Sequence, residues 1–254
     1  MPLMPEAQAQ AQPTTAPPHW GEDPLTQFIQ IGATAGWGAF ALPDTRPYVE
    51  RLIAIDRTFI SAMDALGGAN PEFFKGLMLV SAHAAFRSSA QFAMEGRTCE
   101  AMVLLRSCLE YALYGVQFHR RPELIEVWSR RGDGDAQRKA VKKNFKNNEM
   151  MNGIAALNNA IGERFKHFYE LTIDMGAHPN ELGFYGRLNI QELPNGNRQF
   201  NVRYLQGGNA THLAVLKNAC QIGVCTLECF WLVYRERFDI MGVKATVDEL
   251  KQGL

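Results

Sequence analysis

Hydrophobic positions recur along most of the chain at helical spacing, in long stretches separated by short breaks. The densest stretch is 98–119, where every side from Ala101 to Phe118 is nearly all apolar except for Arg106, Ser107, Glu110 and Gln117. A helix that is hydrophobic all round belongs in a core. This stretch is therefore expected to be the central element, carrying two charges inward one turn apart. Before it, 47–66 sets Val49, Leu52, Ile55, Phe59 and Met63 at helical spacing, with Pro47 suited to a first turn and Gly67-Gly68 to a stop. Residues 71–95 predict a further helix with Asn70 as N-cap and Pro71 at its first position. Gly96 ends it and Thr98 is placed to cap the next, so the two form a tight helical hairpin.

Downstream the pattern changes twice. Residues 122–131 and 136–147 predict short helices around the turn Arg131-Gly-Asp-Gly-Asp135, and 149–176 resumes long helical spacing with Gly153 and Gly162 as candidate breaks. Pro179 biases His178 away from helical geometry, which puts this histidine at a helix end or in the following turn. Between 184 and 205 the period drops to two: Leu188 and Ile190, then Phe200, Val202 and Tyr204, alternate with polar residues around Pro194-Asn-Gly-Asn197. That is a β-hairpin signal. A lone two-stranded hairpin is marginal, so it must lie on the helices or pair with another chain. A final long helix over 210–237, capped by Asn209 or Thr211, has no acidic residue before Glu228, which points to burial; 240–254 adds a short terminal helix.

Residues 24–42 carry no charge but are interrupted by Gly32, Gly36 and Gly38. They read as a helix or turn packed on the core. The spacing of Gly32 and Gly36 matches a membrane helix-packing motif, yet the stretch holds too many small and polar residues for a confident apolar span, and no membrane association is expected. The first 20 residues, rich in Pro, Ala and Gln, read as a disordered tail with no secretory signal. The expected architecture is all-α: a bundle of about seven helices with one small inserted β-hairpin at about 184–205, in a single domain over 21–254.

Charge narrows the function classes. Lys plus Arg and Asp plus Glu balance at 26 each, so no global field recruits nucleic acid or an anionic membrane. The segment 130–146 is locally basic, but only Phe145 offers a ring for stacking; RNA binding there is less favoured than a solvated face. The five cysteines, odd in number and without a CxxC pair, lie in apolar helices and read as reduced, buried thiols of a cytoplasmic protein. No phosphate-binding glycine loop, dinucleotide fingerprint, HExxH or GxSxG occurs, and no metal or cofactor is expected.

Candidate chemistry rests on polar residues set into apolar helices. Arg106 and Glu110 can bridge at i,i+4 as a structural pair, or form the rim of a polar pocket with His178 that receives a small anionic ligand through the guanidinium. His83, Arg87, Gln91 and Glu95 recur every four residues in one row. That row is either a solvated edge or, in part, a face turned towards Arg106 and Glu110 across the hairpin. The ligand-binding candidates are therefore Arg106, Glu110, His178, Arg87 and His83.

The run Leu-Leu-Arg106-Ser-Cys-Leu-Glu110, a basic helical connection and a helix ending at His178-Pro179 resemble a group of bacterial helical domains related to the HEPN superfamily, over roughly residues 75–235. The resemblance implies an all-helical fold and, in that superfamily's toxin and phage-defence members, ribonuclease activity. Those enzymes place a histidine four to six residues after an arginine on one helix. No histidine here has an arginine at that spacing, so the catalytic pair does not carry over. Two function classes follow. The first is a non-enzymatic binding or interaction protein, expected to form a homo-oligomer. The alternative implied by the resemblance is an RNA-acting enzyme with Arg106 and His178 as transition-state stabiliser and general acid/base.

Overall fold

The computed structural model describes residues 15–67, 72–177 and 181–254. Asn70, Pro71 and His178 lie outside these residues. The chain folds as a helical bundle with one two-stranded antiparallel hairpin. At its centre are α3 (Phe73–Met94) and α4 (Thr98–Arg120), packed antiparallel along their lengths. α2 (Arg46–Asp64) lies on α3, and α10 (Ala210–Val233) lies across α2, α3 and α4. Leu105, Leu109 and Leu113 of α4, Phe86 of α3, Phe59 of α2 and Phe230 of α10 are sealed from solvent. The stretch singled out by its all-round hydrophobicity is thus the core helix. Truncating one of these leucines to alanine costs about 2–5 kcal/mol.

Twelve α-helices occur among the described residues, more than the seven expected. The excess has local causes. The stretch 149–176 is cut into α7 (Asn147–Leu157) and α8 (Asn159–Thr172), because the Asn158 side chain accepts from the Ile161 amide and starts a new helix. A π-helical turn, Ile173–Ala177, follows α8. The charge-free segment forms a complete helix, α1 (Pro24–Ala41), capped by Asp23, whose carboxylate accepts from the Leu25 and Thr26 amides. α5 (Leu124–Ser129), α6 (Asp135–Asn144), α9 (Glu181–Tyr185), α11 (Arg235–Ile240) and α12 (Val243–Lys251) are short. α10 is long and apolar enough to cross a membrane, but most of it is buried within the bundle.

The α3–α4 turn is a Schellman closure: the Gly96 amide donates to Ala93 and the Arg97 amide to Phe92. Gly96 has φ +76°, the left-handed region that a glycine enters without steric cost. A Cβ there would also meet the Gln206 carbonyl oxygen at 1.9 Å. The Gln206 amide in turn donates to the Gly96 carbonyl at 2.8 Å, so the segment leaving the hairpin is strapped across this turn. Thr98 does not cap α4; it is the first helical residue, and Arg97 holds the cap position without a side-chain bond. Asn209 does cap α10, accepting from the His212 amide at 2.9 Å.

Strands β1 (Leu188–Glu192) and β2 (Arg198–Val202) pair with Leu188 opposite Val202, Ile190 opposite Phe200 and Glu192 opposite Arg198. Side chains alternate across a strand. One hairpin face is therefore apolar with an ion pair at its tip, and the other holds the amide pairs Asn189–Asn201 and Gln191–Gln199.

Candidate functional site

Two charged networks flank the α3–α4 hairpin. On α4, Arg106 donates from Nε to Glu110 Oε1 at 3.0 Å and from Nη2 to the Tyr169 hydroxyl at 2.8 Å. Tyr169, on α8, donates that hydroxyl to Glu110 at 3.2 Å and accepts from Asn147 at the start of α7. The guanidinium carbon lies 4.8 Å from the centre of the Tyr169 ring. The two charges sit at a margin, not in the deep interior: the Arg106 side chain is 20% exposed and that of Glu110 40%. They lie where α4 meets α7 and α8. Burial pulls the Arg106 pKa down, but Glu110 and Tyr169 outweigh it and raise it. Burial raises the Tyr169 pKa.

The second network belongs to α2 and α3. Arg87 donates from Nε to Asp56 Oδ1 at 2.6 Å and from Nη2 to Asp56 Oδ2 at 3.0 Å, a bidentate clasp. His83 is buried, lies flat against the Phe59 ring, and places Nε2 2.7 Å from Asp56 Oδ1. Burial holds the His83 pKa below the ordinary histidine value against the pull of the carboxylate. The neutral ring therefore donates Nε2–H to Asp56. Burial raises the Asp56 pKa, but the bonds from Arg87 and His83 outweigh it and keep the carboxyl below its usual range.

The row on α3 is in part a solvated edge, since Arg87 and Gln91 are exposed, and it is not a face turned to Arg106. His83 and Arg87 clasp α2, Gln91 donates to Glu95 Oε1 at 2.8 Å, and Glu95 is buried beneath α1. Arg97 lies between the rings of Phe28 and Phe92, 4.4 and 5.1 Å from their centres. Its Nε is 2.8 Å from Glu95 Oε2 but out of line for a hydrogen bond. α1 crosses this pair at Gly32, where a Cβ would come within 2.8 Å of Arg97 Nη2.

α1, α2 and α3 border an open cavity of about 470 Å³. Its walls are Leu52 and Ile53 of α2, Phe86, Ala90 and Met94 of α3, and Ala33, Gly36 and Trp37 of α1. Asp56, Arg87, Gln91 and Glu95 supply its polar positions. Arg87 and Glu95 are eight residues apart on one helix, so the polar ends are separated by about 12 Å along its axis.

Of the five expected ligand-binding residues, the structure joins Arg106 to Glu110 and His83 to Arg87, in separate networks. Asp56, Tyr169 and Asn147, which complete them, were not singled out by sequence. Glu228 of α10 is also buried and is held bidentately by Arg164 of α8 and by Lys251 of α12. His212 accepts from the Gly208 amide at Nδ1 and faces the Ala93 carbonyl with Nε2 at 2.8 Å, which assigns the neutral Nε2–H form. Burial lowers its pKa. Cys108, Cys220, Cys225 and Cys229 are buried, Cys99 is half-buried, and all are free thiols. Burial pushes the Cys108 and Cys220 thiols up to about 12. Among the described residues no group of three or more His, Cys, Asp or Glu side chains is placed to hold a metal. On the basic segment, Arg130, Arg138 and Lys146 pair with neighbouring carboxylates, while Lys139, Lys142 and Lys143 point into solvent.

Comparison with known proteins returns no matching family model, no similar curated protein and no matching solved structure.

Proposed function

We propose that this chain is a binding protein whose cavity between α1, α2 and α3 takes a small, largely apolar molecule with an acidic head. The observation that carries this reading is the unspent donor at the cavity mouth. Asp56 engages Nε and Nη2 of Arg87, which lines the cavity, and Nη1 has no hydrogen bond to the described residues. Asp56 and the buried His83 hold the guanidinium in one orientation, so little side-chain freedom remains to be lost on binding. The volume falls within the usual range for ligand pockets, about 300–1,000 Å³. An acidic head at Arg87 leaves the apolar body to lie along α3 past Ala90 towards Met94.

Arg106 also keeps one nitrogen, the buried Nη1, without a bond while Nε and Nη2 engage Glu110 and Tyr169, but it does not line this cavity, so it supports the reading less. The same engagement leaves it little freedom to stabilise a transition state in the RNA-cleaving reading.

Decanoate is a suitable probe, and Trp37 at the cavity wall is a built-in reporter. Saturable binding that changes Trp37 emission is expected, with Ala90→Phe abolishing it by filling the cavity. Arg87→Gln should weaken it about tenfold, the equivalent of ~1.4 kcal/mol. Equal binding by the wild-type chain and Ala90→Phe would remove this reading.

A further inference from the structure

α1 and the hairpin each leave a run of large apolar side chains uncovered. The residues that α1 buries are small: Gly32, Gly36 and Ala39. Its large ones point outwards along two flanks. At 100° per residue, Ile29, Trp37 and Phe40 share the flank that faces the cavity. Ile31 and Leu42 lie on the opposite flank, the one nearer Phe28, whereas Leu25 falls on the line of Gly32 and Gly36 and is uncovered only because it sits at the helix start. Leu25 is 67% exposed and Ile31 58%. No charged residue interrupts α1.

The hairpin has the same deficit. Ile190 and Phe200 are cross-strand partners on its apolar face, and both are more than half exposed. A two-stranded hairpin needs further strands or a helix against its apolar face to be stable. The two surfaces adjoin: Tyr204, just after β2, meets Phe28 of α1 edge to face at 6.2 Å.

We propose that both surfaces are covered by a second copy of this chain, the hairpin of each protomer lying across the outer flank of the other's α1. A two-fold interface is self-complementary, so a single axis applies each contact twice. Helix on apolar sheet face is also the layering that buries both elements. The exposed parts of Ile31, Leu42, Ile190, Phe200, Val202 and Tyr204, if wholly covered, come to roughly 600 Å² per protomer, the lower end of a standard stable interface at ~600–1,000 Å² per partner. The flank used is the one away from Trp37, so this interface is independent of the cavity.

Sedimentation velocity on the full chain tests this, with Ile31→Lys and Phe200→Glu as variants. A wild-type dimer is expected, and each variant alone should be monomeric with an unchanged far-ultraviolet spectrum. Mixing the two should restore a dimer, because the mixed pair keeps one of its two hairpin–helix contacts wholly wild-type. A wild-type chain that stays monomeric overturns the proposal, including one that instead floats with phosphatidylcholine vesicles. Monomeric variants that fail to reassociate on mixing overturn the reciprocal arrangement. A dimer that survives Ile31→Lys removes α1 from the interface.

Discussion

The Arg106 and Arg87 networks use the same chemistry to different ends. In each, an arginine is bonded to a carboxylate and to a neighbouring helix. Around Arg106, the carboxylate lies on the same helix, and a tyrosine hydroxyl and an asparagine close the circuit across α7 and α8. Around Arg87, the carboxylate comes from α2, a buried histidine supports it from behind, and apolar space opens alongside. The first network ties helices together. The second ties two helices and also presents a fixed donor to a cavity. A buried ionic pair is weak evidence for stability taken alone; the adjacent space separates the two cases.

Substitutions can break this comparison. The largest stability loss is expected for Asp56→Ala, which strands the buried His83 donor and releases Arg87. Allowing for partial exposure of the carboxylate, it should cost about 2–3 kcal/mol in denaturant titrations. Arg106→Met should cost less, about 1–2 kcal/mol, because Glu110 regains water when its partner is lost. Arg138→Ala, removing an exposed pair on α6, sets the surface baseline at under about 0.5 kcal/mol. If Arg106→Met matches that baseline, the Tyr169 link holds nothing. If it equals or exceeds Asp56→Ala, the ranking of the two networks is wrong.

Acidity gives the smallest and most selective comparison. His83 and His212 are both depressed by burial, so in this range the unfolded chain binds more protons than the folded one. Their stabilisation is complete above the unfolded histidine value of about 6.5. It is lost progressively as pH falls through that value towards the lower folded one. The melting temperature should therefore drop between neutral and mildly acidic pH. His212→Gln should reduce that slope and leave decanoate binding unchanged, because His212 lies away from the cavity. An unchanged slope would show that His212 is not held neutral.

Much of the framework was legible from spacing. The core position of α4, the α3–α4 turn at Gly96, the hairpin with its Asn-Gly turn and the burial around Glu228 all follow from local patterns. The site was legible only in part, because its partners are distant in sequence. His83 and Arg87 stand out as polar residues on an apolar helix, whereas Asp56 looks like any carboxylate on an amphipathic one. Tyr169 fits the apolar spacing of α8, which conceals that its hydroxyl joins three other side chains. The division at Asn158 was missed for a different reason. Hydrophobic spacing continues across it, and only the side-chain bond to Ile161 reveals the new helix.

The strap at Gly96 bears on the order in which the chain assembles. α3 and α4 are neighbours in sequence and form an early, low-contact-order unit, whereas Gln206 reaches the turn from 110 positions further on (206 − 96). Loop-closure entropy opposes that contact until intervening helices have condensed. The bundle's centre is thus expected to form first. The fastening that fixes where the hairpin arm leaves the body then comes late, so the arm becomes available for pairing only on a chain already folded.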